Sequence, residues 1–194
     1  YVYVRSGVTW YEEAKIMGRY SEAGDQFGIS VSISGDTAVI GAYRDDDIGI
    51  NSGSAYVFKR TDSIWSQEAK ITASDGDDDS GFGYSVNVSG DMAVIGAPGH
   101  DDSNYLSYND HGKTYAFVRK NSSWTELKEI NNGGDHHFGI SVSISGNKVV
   151  VGASGDVLNG YSKGSAYIYD LGVPPVTVTF DLEEKASRTG GGES

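Results

Sequence analysis

An all-β fold made of repeated four-stranded sheets is what this sequence predicts, and three observations carry the prediction. A sixteen-residue pattern returns twice at a period of 55 to 56 residues, the mark of a repeat architecture. Inside each copy, apolar residues alternate with small polar ones, which is the two-residue period of a strand. Across 194 residues, 27 Gly and 13 Tyr stand against 3 Pro and 2 Met, a balance that suits strands joined by tight turns better than helices.

In chain order, the first element is YVYVR at residues 1–5. It aligns with YVFKR at 56–60, because each opening Tyr precedes a Trp by nine residues, as Tyr115 precedes Trp124. The chain therefore enters at the late strand of a repeat, as expected of a fragment or processed product of a longer precursor. WYEEAKI at 10–16 follows, with WSQEAKI and WTELKEI as its counterparts. In the second of these, Trp65, Gln67, Ala69 and Ile71 are predicted on one face and Ser66, Glu68 and Lys70 on the other, a half-exposed strand. Charges on that outer face discourage edge pairing.

A polar, turn-rich loop precedes each copy of the main pattern: GRYSEAGDQ, ASDGDDDSG and NNGGDHH. The pattern itself reads FGISVSISGDTAVIGA at 27–42, FGYSVNVSGDMAVIGA at 82–97 and FGISVSISGNKVVVGA at 138–153. Phe27, Ile29, Val31 and Ile33 are predicted on one face and Gly28, Ser30, Ser32 and Ser34 on the other. The turn at Gly35 then leads into an apolar run suited to a strand covered on both sides. The narrow Gly and Ser face lets neighbouring sheets approach closely. A second variable loop follows each Gly-Ala, and then a Tyr strand: GSAYVF, GKTYAF or GSAYIY. Four strands per period result, the number in one blade of a β-propeller.

The repeats fall around 17–71, 72–130 and 131–171, with 1–16 completing a preceding blade. Residues 1–171 thus form one propeller segment of about three blades plus the outer strands of a neighbour. Pro174 and Pro175 interrupt the pattern, VTVTF at 176–180 suits one strand, and 172–194 read as a linker or the start of a following segment.

Phe-Gly alternating with Gly-Ala-Pro, complete here as Phe82-Gly83 and Gly96-Ala97-Pro98, resembles the FG-GAP repeat; the other two copies carry Gly-Ala-Tyr and Gly-Ala-Ser. The resemblance spans residues 1 to 171 and implies a β-propeller like the head of integrin α subunits, closing with about seven blades. Integrin-type copies hold calcium in a long acidic loop inside the hairpin. Here that place is only Ser34-Gly35-Asp36, Ser89-Gly90-Asp91 or Ser145-Gly146-Asn147. One carboxylate does not make a site for a cation that takes several oxygens, so no calcium ligands carry over. The short form resembles repeats of large extracellular microbial proteins with surface, adhesion and scaffold roles.

A net charge of -12 argues against nucleic acid, whose phosphates need clustered Lys and Arg. No Cys is present, so disulfides and thiol chemistry are excluded, and no apolar run is long enough to span a membrane. Asp75, Asp77 and Asp79 offer oxygens for weak calcium at most, weighed against a solvated acidic turn. Asp45, Asp46, Asp47, Asp101 and Asp102 are poorer cation candidates, since adjacent carboxylates diverge in an extended chain. His100, His111, His136 and His137 lack a spacing that predefines a zinc site. Ser30, Ser85 and Ser141 recur in every copy, which reads as structure, because an active site is normally made once. The repeated Trp and Tyr likewise read as packing. Asn87 and Asn121 fit the glycosylation acceptor pattern, Asn121 in a turn and so the better placed.

The sequence thus points to a non-enzymatic, extracellular or cell-surface interaction or structural module, an adhesion or scaffold subunit without a cofactor. Its edges are expected to be covered by other chains or further blades. The alternatives are a calcium- or carbohydrate-binding, lectin-like propeller and the accessory propeller of a larger hydrolase.

Overall fold

The computed structural model describes residues 1–100, 111–132, 137–158 and 161–172. Among them there is no helix, and the strands form antiparallel sheets. β1 (Val2–Ser6) and β2 (Thr9–Ala14) make an N-terminal ribbon. β3 (Val31–Ser34), β4 (Thr37–Ala42), β5 (Ser54–Thr61) and β6 (Ile64–Ile71) make the first blade in that spatial order. β7 (Ser85–Ser89), β8 (Met92–Ala97), β9 (Lys113–Lys120) and β10 (Ser123–Ile130) repeat it as the second blade. β11 (Phe138–Ser145) and β12 (Lys148–Ala153) pair with β15 (Ser165–Asp170) in a three-stranded third blade, while β13 (Val157–Leu158) and β14 (Tyr161–Ser162) form a small ribbon in its loop. The proposed linker lies, apart from Gly172, outside the described residues.

The inner hairpin departs from its predicted alternation at its start. Gly28, Gly83 and Gly139 adopt positive φ of 96°, 93° and 89°, a conformation that costs glycine little and other residues much. Regular pairing therefore begins at Val31 and Ser85 in the first two blades, and in the third the register breaks between Phe138 and Ser141. The kink turns each Phe back beneath its own blade. Phe82 and Phe138 are fully buried there, edge-on or tilted against Tyr115 and Phe117, and Tyr167 and Tyr169, respectively. Burying each such ring stabilises the fold by about 1.5–3 kcal/mol.

The Trp strands depart from alternation too, at one equivalent place in each copy. Opposite β5, Ala69 pairs with Val57 and Gln67 with Phe58, leaving Glu68 as a bulge. Glu13 is bulged in the ribbon and Leu127 in the second blade by the same register shift. A bulge re-aims the extra side chain, and at Glu13 and Glu68 it sends a carboxylate toward the next blade.

The core lies between blades as much as within them. One cluster joins Val39, Ala55 and Val57 of the first blade to Phe82, Val86, Val88, Ile95 and Tyr115 of the second. A second joins Val94, Ala116 and Ile130 to Phe138, Ile144, Val149 and Val151 of the third.

Candidate functional site

Four kinds of contact build the joints between blades, all four of them present between the first and second blades, and these define the surfaces left open at the two ends of the segment. At the first contact, a Cβ on Gly41 would overlap the backbone carbonyl of Gly83, and one on Gly96 would overlap that of Gly139. Only glycine permits backbones to approach so closely, which is the physical reason for both the Gly of Phe-Gly and the Gly of Gly-Ala. Next to it, the Ser30 hydroxyl donates to the Gly83 carbonyl at 2.7 Å, and Ser85 to that of Gly139 at 2.8 Å. These hydroxyls are thereby committed to the joint.

The third contact caps the innermost strand. The first strand of a blade is a sheet edge with N–H groups that need partners, and here side chains of the preceding blade supply them. Ser32 Oγ accepts from the Val88 N–H at 3.1 Å and Ser34 Oγ from Gly90 at 3.1 Å. At the next joint Asn87 Oδ1 accepts from Ile144 at 2.9 Å and Ser89 Oγ from Gly146 at 3.4 Å. The relation always runs from one blade to its successor.

The fourth contact joins the outer strands. Glu13 accepts from Arg60 Nε at 2.9 Å and Trp65 Nε1 at 3.0 Å, and Glu68 accepts from Arg119 at 2.5 Å and Trp124 Nε1 at 3.0 Å. The hydrogen bond from Arg60, then that from Trp65, holds the Glu13 carboxyl below the usual carboxylate range. At the third joint both ends of the pair change together: Leu127 takes the glutamate's place and Leu171 the arginine's.

The two ends of the segment leave these contacts incomplete. Val86 and Val88 are 7% and 5% exposed, whereas their equivalents in the first blade, Val31 and Ile33, are 69% and 58% exposed. At the other end Val150 and Ile168 are 40% and 76% exposed, although Val39 and Val57, which hold the same positions in the first blade, are fully buried.

The polar loops have a structural use that composition did not reveal. Asp45 receives the Tyr56 hydroxyl at 3.0 Å, the Ser54 hydroxyl at 2.9 Å and the Lys70 ammonium at 2.8 Å. In the third blade Asp156 receives Ser165 and Tyr167 in the same way. The second blade has His100 at that position and rebuilds the contact from elsewhere: Asp75 accepts from Tyr115 at 2.7 Å and from Lys113 at 2.7 Å, with His100 Nε2 3.5 Å away. Burial pushes Asp75 up, but the bonds from Lys113 and Tyr115 and the neighbouring positive charge prevail and hold it below its ordinary value. Burial, reinforced by Asp75, raises the Tyr115 phenol. The cation has moved from Lys70 on a Trp strand to Lys113 on a Tyr strand, and Glu129, 3.2 Å from Lys113, stands where Lys70 would be.

The other acidic residues of these loops are engaged as well, Asp47 sharing Lys70 with Asp45. Asp77 accepts from the Asp78 N–H at 2.9 Å, and Asp79 accepts from Asn51 Nδ2 at 2.8 Å. Asp78 accepts from the Ile50 N–H at 2.8 Å, so the run Asp77 to Asp79 docks against the loop of the first blade. Asp46 caps the Asn51 N–H, and Asp47 pairs with Lys70. Among the described residues, no three His, Asp or Glu side chains group in a way that could hold a metal ion. Asp101, Asp102 and His136 lie outside the described residues. His111 accepts the Phe138 N–H with its backbone carbonyl, and His137 sits in the turn ahead of β11.

Of the two glycosylation candidates, Asn121 lies at the exposed turn between β9 and β10. Asn87 lies between blades, its Nδ2 donating to Ser32 Oγ at 3.2 Å while its Oδ1 serves Ile144.

The residues that sequence reasoning missed are Glu13, Glu68 and Arg119. The available signal was a Glu three residues after Trp in two of three copies, with Arg four residues after the opening Tyr.

Among the described residues no helix is long and apolar enough to cross a membrane. No curated protein matches the sequence. Among solved structures the chain is similar to the computationally designed Ika4 protein, at 16% identity and a TM-score of 0.46 over 84% of this chain and 99% of that one. The FG-GAP repeat family matches three segments, residues 10–58, 65–117 and 131–169. These take in the ribbon's Trp strand, the inner hairpins of all three blades and most of their Tyr strands, while β10 falls between the second and third segments. The chain belongs to the FG-GAP repeat family.

Proposed function

We propose that this chain is a non-enzymatic protein-interaction module of the extracellular space or cell surface, an adhesion or scaffold part of a larger assembly. The observation that carries the reading is the pair of incomplete joints: Val31 and Ile33 at one end and Val150 and Ile168 at the other are open where the same positions are buried inside the segment. Large apolar side chains left exposed together at an ordered surface mark a place of association. The absence of an enzymatic role is supported by Ser30 and Ser85, whose hydroxyls are bound to carbonyls rather than placed beside a base.

The test is photo-crosslinking in the native host with p-benzoylphenylalanine at position 168. A discrete protein adduct that Val150→Glu abolishes supports the reading. No adduct, or one indifferent to Val150→Glu, contradicts it.

A further inference from the structure

Where the loops after β4 and β8 meet those ahead of β7 and β11, residues of all three blades line a cavity of about 290 Å³. Tyr43, Tyr84, Pro98, Ile140, His137 and Asp79 are among them. We propose that this cavity receives a proline-bearing, basic segment of a partner protein. The proposal rests on the interaction-module reading and gives that partner a chemistry.

The repeat itself sets this place apart from the joints. Tyr43 stands where the other blades have Pro98 and Ser154, and Tyr84 where they have Ile29 and Ile140. Both tyrosines fall at one cavity, so the aromatic pair is made once, whereas the glycine and serine contacts of the joints recur. A feature that recurs serves the fold, and one made once at an open cavity is free to serve a ligand. The pair forms a corner, with ring centroids 5.4 Å apart and planes at 79°. Arg44 stacks on the Tyr43 ring at 5.3 Å and braces it. Tyr84 remains 37% exposed, and among the described residues neither tyrosine hydroxyl has a hydrogen-bond partner.

An apolar corner with two free hydroxyls suits a proline ring and the carbonyl that precedes it. Extended proline-rich backbone makes no internal hydrogen bonds and docks on aromatic-lined surfaces, so its carbonyls are available to the Tyr43 and Tyr84 hydroxyls. A helical segment would arrive with its carbonyls already used. The charge of the partner follows from the rim. Asp46, Asp77, Asp78 and Asp79 are exposed on the two loops that carry Tyr43 and lead into Tyr84. They accept from uncharged N–H groups, whereas Asp45 and Asp47 are matched by Lys70. These carboxylates, set against the single Arg44, favour Lys or Arg beside the proline. A sugar also stacks on tyrosine, but this rim gives a neutral ligand no advantage and repels an acidic one.

The test pans a phage library of random peptides on the 194-residue chain and on its variant Tyr43→Ser/Tyr84→Ile. That variant carries the third blade's residues at both positions, so its thermal midpoint should stay near the parent's. Peptides enriched on the parent over the variant should share Pro with Lys or Arg beside it. A synthetic peptide of the leading sequence should bind saturably, shift the Gly81 and Tyr84 amides of the ¹⁵N-labelled chain, and bind the variant about tenfold or more weakly. A second variant, Asp78→Asn/Asp79→Asn, keeps an acceptor oxygen at each position. It should bind about threefold or more weakly, with the difference shrinking at high salt. The proposal is overturned if no peptide is enriched on the parent, if the enriched peptides lack proline or are acidic, or if affinity is unchanged in either variant. A glycan array probed with the parent and the first variant tests the other ligand class: sugar binding that the variant loses, without peptide enrichment, would also overturn it. Neither tyrosine lies at an open end of the segment, so these outcomes leave crosslinking at position 168 untouched, and the two readings fail separately.

Discussion

The carbonyl of Gly83 occupies the space that a side chain on Gly41 would need. The joint between two blades is thus set by backbone contact, and the Gly and Ser face of the inner hairpin is its consequence. Gly41→Ala and Gly96→Ala should each destabilise the chain by about 1–3 kcal/mol through overpacking. Gly152→Ala should cost less, because there a Cβ meets the Ser141 side chain, which can rotate, and no carbonyl of a following blade. Chemical denaturation of the three variants checks the order.

Glu68 is mostly buried against Arg119 and Trp124, so Glu68→Leu alone should cost about 1.5–3 kcal/mol, the range for hydrogen bonds to a charged group. Leu127 and Leu171 show that the repeat tolerates an apolar version of the pair. The double variant Glu68→Leu/Arg119→Leu should therefore recover much of the loss, with a coupling energy of about 1 kcal/mol or more in a double-mutant cycle.

The Glu13 carboxyl sits below its ordinary range because Arg60 and Trp65 donate to its charged form. A group depressed in the folded state binds fewer protons there than in the unfolded state. Its contribution is full above the usual glutamate value of about 4.3 and is lost as pH falls through the lower folded value. The Trp65 indole N–H resonance should accordingly titrate with a midpoint below about 4.3. A midpoint at or above that value would place Glu13 away from Trp65 in solution.

Asp75 is the acceptor for Tyr115 and Lys113 in the second blade only. Asp75→Asn should destabilise by about 1–3 kcal/mol, as expected when a buried donor loses its charged partner. Asp77→Asn, whose carboxylate serves an exposed neighbouring N–H, should stay within about 0.5 kcal/mol of the parent. Thermal melts of the two variants separate an internal peg from a surface turn. Equal effects would contradict the assignment.

The strand order could be read from the repeat because Phe, Tyr and Trp return at fixed spacings and the loops between them are turn-rich. The bulges could not, since Glu68 sits in a run whose alternation looks regular until the register with β5 is known. The Ser residues were legible as small, but their role as caps depends on an edge N–H of another blade some 56 residues away in the chain. Asp75 looked like part of an acidic run, and only the fold brings Lys113 and Tyr115, 38 and 40 residues away, to its oxygens. Long-range polar pairing leaves no periodic trace, whereas packing of a repeated face does.

The most direct test of the central claim, that both ends of the segment are unfilled blade joints, uses cysteine labelling, which the absence of native Cys makes clean. Val31→Cys and Ile168→Cys are compared with Ile64→Cys, which lies 69% exposed at an outer turn. In the isolated chain all three should react rapidly with a thiol reagent. In the native assembly the cysteines at 31 and 168 should be protected while that at 64 still reacts. Equal reactivity of all three in the assembly would show that nothing covers the joints and would contradict the account.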